Sequence, residues 1–166
     1  MTVEQIFVRQ HLAVDIQEAW AFFSDPANLA TITPPWLDFQ VTSKLPSLVY
    51  PGLIITYQIK PFLGLPVTWV TEITHAEAPT YFVDEQRFGP YRFWHHEHHF
   101  RAVGGGVEMV DRVSYALYFG KLSGLAHRYL IRPRLEEIFS FRRQKLAELF
   151  GELTPSDANS SVSGDT

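Results

Sequence analysis

Two histidines and an aspartate carry the strongest chemical signal in the sequence. The run Tyr91-Arg92-Phe93-Trp94-His95-His96-Glu97-His98-His99-Phe100 has the aromatic-rich character of a β-strand. Successive residues of a strand point to opposite faces, so Trp94, His96, His98 and Phe100 share one face. Phe93, His95, Glu97 and His99 share the other. A face that only packs against a core has no use for two imidazoles among large aromatics. A face that lines a partly polar cavity does.

The partner strand can be registered from its turn. A two-residue turn at Gly104-Gly105 pairs Val103 with Gly106, and a four-residue loop pairing Ala102 with Val107 gives the same register. Phe100 then opposes Met109, His98 opposes Asp111, His96 opposes Val113 and Trp94 opposes Tyr115. The face of Met109, Val113, Tyr115 and Leu117 is apolar and should look inward, taking Asp111 with it. A three-residue loop would invert this. The preceding strand has two readings. A two-residue turn at Gly89-Pro90 turns Val83, Glu85 and Arg87 inward, and one more loop residue turns Phe82, Asp84 and Gln86 inward. Either reading puts a carboxylate on the inner face.

A buried His98–Asp111 pair is a candidate for acid–base catalysis, because the carboxylate favours the imidazolium while burial opposes it. Such a pair would orient a carbonyl or shuttle a proton. The plainer alternative is that Asp111 satisfies a buried histidine. His96-x-His98 with Asp84 or Asp111 also has the residue types of a two-histidine, one-carboxylate metal site, although no third histidine follows at a telling distance. His95 and His99 belong to the outer face. No Gly-x-Ser-x-Gly elbow occurs, and Gly104-Gly105-Gly106 is a hairpin turn rather than a phosphate loop. Trp69 and Tyr57 are candidates for the cavity wall, with core packing as the alternative for each.

The elements that must position these residues follow from the breaks. Gln5 to Val14 reads as a strand, and Asp15 with Glu18 as the start of a short helix. Ser24-Asp25-Pro26 opens a second short helical turn that ends at Thr33-Pro34-Pro35. Strand-like runs follow at roughly 38–45, 53–60, 66–77, 80–88, 91–103 and 106–118, separated by Gly- and Pro-containing turns. Short connections imply an antiparallel meander. A long helix runs from Ser123 or Gly124 to Phe150, and Pro133 should kink or split it. Leu135, Ile138, Arg142, Leu146 and Leu149 fall on one stripe of that helix, and Arg142 is the unexpected member. It either pairs with an inner carboxylate or snorkels to the rim.

This order, together with Phe82-Val83-Asp84-Glu85-Gln86, Gly89-Pro90, Trp94-x-His96-x-His98-x-Phe100 and Asp111-x-Val113-x-Tyr115, resembles the polyketide cyclase/dehydrase and lipid-transport (START-like, SRPBCC) superfamily over about residues 3–150. The similarity is greatest to its bacterial ligand-binding members of unassigned function. The resemblance implies an α+β helix-grip fold: a bent seven-stranded antiparallel sheet around a long C-terminal helix, with two short helices after the first strand. It favours Asp84 over Glu85 on the inner face. It brings no structural metal, and neither metal nor cofactor is expected. The implied function is binding of an apolar or aromatic small molecule with a polar handle. Trp94, His96, His98, Asp111, Tyr115, Asp84, Gln86, Trp69, Tyr57 and Arg142 are the candidate contacts. The alternatives are a cyclase, dehydratase or hydrolase using His98 and Asp111, and an interaction module docking a partner at Pro34-Pro35-Trp36 and Phe62-Leu63-Gly64-Leu65.

Bulk properties narrow the classes. The 166 residues suit one domain over 1–151, followed by a Ser-, Asp- and Asn-rich tail over 152–166 that is expected to be disordered. The net charge is −4, and three of the acids (Glu152, Asp157, Asp165) lie in that tail, so the rest is nearly neutral. No basic footprint for nucleic acid is present. With no cysteine, disulfides and thiol chemistry are excluded. Without a signal-peptide pattern or an apolar run of ~20 residues, the expected location is the cytoplasm.

Overall fold

The computed structural model describes residues 2–62, 64–118 and 127–154. Strand β1 (Glu4–Leu12) is followed by helix α1 (Ile16–Phe23), whose first turn is capped by Asp15 accepting from the Gln17 amide at 2.7 Å. Asp25 caps a 3-10 turn over Pro26–Ile32 in the same way, accepting from the Ala27 amide at 2.9 Å. A second, shorter 3-10 turn covers Pro35–Leu37. Then come β2 (Gln40–Val41), β3 (Ile54–Phe62), β4 (Leu65–Glu77), β5 (Tyr81–Phe88), β6 (Phe93–Val103) and β7 (Gly106–Ala116). A π-helical turn (His127–Ile131) leads into helix α2 (Arg132–Phe150). The expected start of that helix at Ser123 or Gly124 lies outside the described residues. Pro133 stands in the first turn of α2, where its missing amide costs nothing, and the split between π and α geometry falls beside it.

The seven strands form one antiparallel sheet in the order β1-β7-β6-β5-β4-β3-β2. The expected register of the β6–β7 hairpin is the observed one, from Val103 opposite Gly106 back to Trp94 opposite Tyr115. Bulges at Ile59/Phe62 in the β3–β4 pairing, and at Val70/Thr71 and Ile73/His75 in the β4–β5 pairing, bend the sheet. The bent face closes on α2 through Leu135, Phe139, Arg142 and Leu146, all buried. Two members of the expected stripe differ: Ile138 is half-buried while Phe139 beside it is buried, and Leu149 is 47% exposed. The i, i+4, i+7, i+11 spacing follows the 3.6-residue turn more closely than the stripe drawn from the sequence.

The chain just past residue 151 is tied to β1 and α2. The Leu153 amide bonds the His11 carbonyl at 2.9 Å, Glu152 bridges Leu12, and Arg143 pairs with Glu152. Residues 152–154 therefore belong to the folded unit. The remainder of the expected tail, 155–166, lies outside the described residues, as does Leu63 at the proposed docking rim. Trp36 of that rim packs under the Arg134 guanidinium, 4.8 Å from the ring centroid. Among the described residues, no helix is long and apolar enough to cross a membrane.

Candidate functional site

Sheet pleat and register bring the polar residues together. Asp84 on β5 lies opposite His96 on β6, and His98 lies opposite Asp111 on β7. Asp84 therefore faces inward, through the connection with one extra loop residue. His96 and His98 stand two residues apart on one face, their rings 3.8 Å between centroids. Asp111 is 1% exposed and sits behind both rings. Its Oδ1 is 3.0 Å from His96 Nε2 and 2.9 Å from His98 Nδ1. On the open side, Asp84 Oδ2 lies 2.7 Å from His98 Nε2 and 3.5 Å from His96 Nδ1. Arg142 reaches in from α2 with its Nε 3.5 Å from Asp111 Oδ2. The stripe arginine is thus paired with an inner carboxylate rather than turned to the rim.

The electrostatics follow from this packing. Burial works against the charge on Asp111, but Arg142 and the two imidazoles hold its carboxyl well below the usual carboxylate range. Asp84 is likewise lowered, with burial outweighed by His96, His98 and Arg142. The histidines separate. Burial and the neighbouring His98 push His96 down, against the pull of both carboxylates. For His98, burial is outweighed by hydrogen bonds to Asp111 and Asp84, and its affinity for a proton rises. Charge counting agrees: two carboxylates and one guanidinium leave room for one imidazolium.

Between this group and the far wall of the sheet lies a cavity of about 190 Å³. Trp69, Tyr57, Trp94 and Tyr91 line it, with Trp69 edge-on to Trp94 at 5.2 Å. Tyr57 hydroxyl bonds Thr71 Oγ1 at 2.9 Å, and burial pushes its ionisation far up. Trp69 Nε1 is buried and has no hydrogen-bond partner among the described residues. Asp84, His96, His98 and Arg142 belong to the same wall, set among aromatic rings, with Trp94 6.2 Å from His96 and Phe23 5.6 Å from the Arg142 guanidinium.

Three expected contacts lie off the cavity wall. Asp111 acts from behind the imidazoles. The Gln86 side chain donates to the Tyr91 carbonyl and accepts from its amide, so it clamps the β5–β6 turn. Tyr115 is 1% exposed, with its hydroxyl 2.7 Å from His127 Nε2. Both were placed inward by strand alternation, which gives the face but not the depth. Two wall residues that pack on the imidazoles were missed. Phe82 stacks on His98 at 4.1 Å, and Phe139 meets His96 edge-on at 5.8 Å. Phe82 belonged to the inward set that also contains Asp84. Phe139 needed only the strict helical spacing. On the outer face His95 bonds Glu85 and His99 bonds Glu97, as half-buried pairs.

No protein-family model matches the chain, and no curated protein matches it. Solved structures do. The Zhui aromatase/cyclase from Streptomyces sp. R1128 superposes with a TM-score of 0.69 at 12% identity, covering 89% of this chain and 93% of that one. Protein Ms6760 from Mycobacterium smegmatis superposes with a TM-score of 0.64 at 18% identity, covering 90% and 96%. Ara h 8.0201 superposes with a TM-score of 0.61 at 12% identity, covering 89% and 99%. The chain has the helix-grip fold of these proteins, an antiparallel open sheet closed by a long C-terminal helix. At these identities the likeness concerns fold alone.

Proposed function

We propose that the protein binds a small apolar or aromatic molecule with a polar handle, held between the sheet and α2, and that it does so in the cytoplasm. The observation that carries this reading is the make-up of the cavity wall: a set of convergent polar groups among large aromatic and aliphatic side chains. The unpartnered Trp69 indole N–H adds to it, because a buried donor without an acceptor is costly and a ligand oxygen would satisfy it. The fold supports the same reading, since the aromatase/cyclase has it too. Native mass spectrometry of freshly purified protein tests it. A co-purified organic mass that leaves on denaturation is expected. Protein that carries no such mass and binds no anilinonaphthalene sulfonate, an aromatic probe with an anionic handle, contradicts the reading.

Acid–base catalysis in the same cavity is the second reading. It is favoured by His98, whose ring bridges Asp84 and Asp111 with Nε2 on the cavity side. A His98→Gln variant that still binds the co-purified molecule but no longer converts it supports catalysis. Unaltered turnover excludes His98 from that role.

A further inference from the structure

The two imidazoles are held from behind. An ionised Asp111 accepts from His96 Nε2, and the same oxygen lies 2.9 Å from His98 Nδ1, which also has the Arg142 guanidinium at 3.4 Å. Each ring that donates its back nitrogen to Asp111 keeps a lone pair on its front nitrogen. Those front nitrogens, His96 Nδ1 and His98 Nε2, are the ones that face Asp84 Oδ2. The fold thus gathers two imidazole nitrogens and one carboxylate oxygen within 4.8 Å of one another. Without a metal, the hydrogen bond between His98 Nε2 and Asp84 holds these groups together, and a cation that displaces its proton would meet three donors.

We propose that this cluster is a divalent transition-metal site, with Asp84, His96 and His98 as its protein ligands. Asp111 is the positioning carboxylate that fixes both rings, the usual outer partner of a metal-bound histidine. Two nitrogens and one oxygen suit zinc, iron or cobalt rather than magnesium or calcium. Metal–ligand bonds of about 2.0–2.2 Å place neighbouring donors roughly 3 Å apart. The Asp84–His98 and Asp84–His96 separations of 2.7 and 3.5 Å lie on either side of that value. Asp84 and Asp111 outweigh Arg142 by one negative charge when both imidazoles are neutral, so the group favours a cation. Three protein ligands leave coordination positions open, and Asp84, with 18% of its side chain accessible, lines the cavity. A metal there would offer those positions to the polar handle of the ligand, so the inference deepens the binding reading without depending on which molecule fills the cavity. The resemblance brought no metal to this site; the donor set does.

Metal-free protein, prepared with a chelator and titrated with Zn²⁺ by calorimetry, is expected to bind one ion per chain with micromolar or tighter affinity. Asp84→Asn should weaken binding by at least ten-fold, and Asp111→Asn by about 10–100-fold. His99→Gln on the outer face should leave it unchanged. Circular dichroism shows whether each variant folds. Where one does not, Co²⁺ added to the wild-type protein decides: the largest hyperfine NMR shifts should fall on the ring protons of His96 and His98. Absence of binding, or the largest shifts on His95 or His99, overturns the proposal. Anilinonaphthalene sulfonate binding is measured on the metal-free protein, so failure of the metal site and failure of the ligand reading are separately visible.

Discussion

Asp111 is the residue on which the polar group turns. It touches both imidazoles and pairs with Arg142 while 1% exposed. Removing one member of a buried ion pair leaves the other charge uncompensated, which typically costs about 3–5 kcal/mol. Asp111→Ala is expected to lose stability on that scale in urea denaturation of the metal-free protein. A loss under about 1 kcal/mol, the range of an exposed pair, would mean that Arg142 and the imidazoles do not depend on it. At this scale much was readable in advance. Gly104-Gly105 set the hairpin register and so brought His98 to Asp111. Asp84 was not readable from residues alone, because Gly89-Pro90 allows two connection lengths and a change of one residue reverses a strand's faces. That the histidines are shared between two carboxylates, rather than paired one to one, depends on side-chain depth, which alternation does not carry.

Elements hold the group in place through a few close contacts. Gly106 opens β7 directly against β1, and a Cβ built there would lie 2.0 Å from the Leu12 carbonyl oxygen. Gly106→Ala must therefore push apart the strand pairing that begins at Leu12 and Val107. Overpacking of this kind costs about 1–3 kcal/mol, so a lowered melting temperature is expected, and an unchanged one would show that the strands separate freely. The end of α2 is tied down as well. A chain ending after Gly151 loses the Leu153–His11 hydrogen bond and the Glu152–Arg143 pair, whereas one ending after Thr154 keeps both. The shorter chain should melt at the lower temperature, and equal melting temperatures would detach residues 152–154 from the folded unit. Strand order and the Pro133 split were legible because turns and prolines punctuate the sequence. The bulges of β3, β4 and β5 were not, because a bulge leaves no residue-type signature when its pairing partner is unknown.

For the whole molecule, the central claim is that the space between sheet and α2 receives a ligand. Its walls come from every part of the chain: Phe23 from α1, Tyr57 and Trp69 from the far strands, Phe139 and Arg142 from α2. No single segment encodes the cavity. The sequence indicated it only through the mixture of imidazoles and large aromatics on one strand face, and the bend that opens the space belongs to the assembled sheet. Trp69 and Trp94 line the cavity, while Trp36 packs outside it against Arg134. An NMR titration of the four indole N–H signals with anilinonaphthalene sulfonate therefore reads the claim directly. Saturable shifts of Trp69 and Trp94 are expected, strongest at the unpartnered Trp69 N–H, with Trp36 unmoved. Probe binding that leaves Trp69 and Trp94 at their starting positions would contradict it.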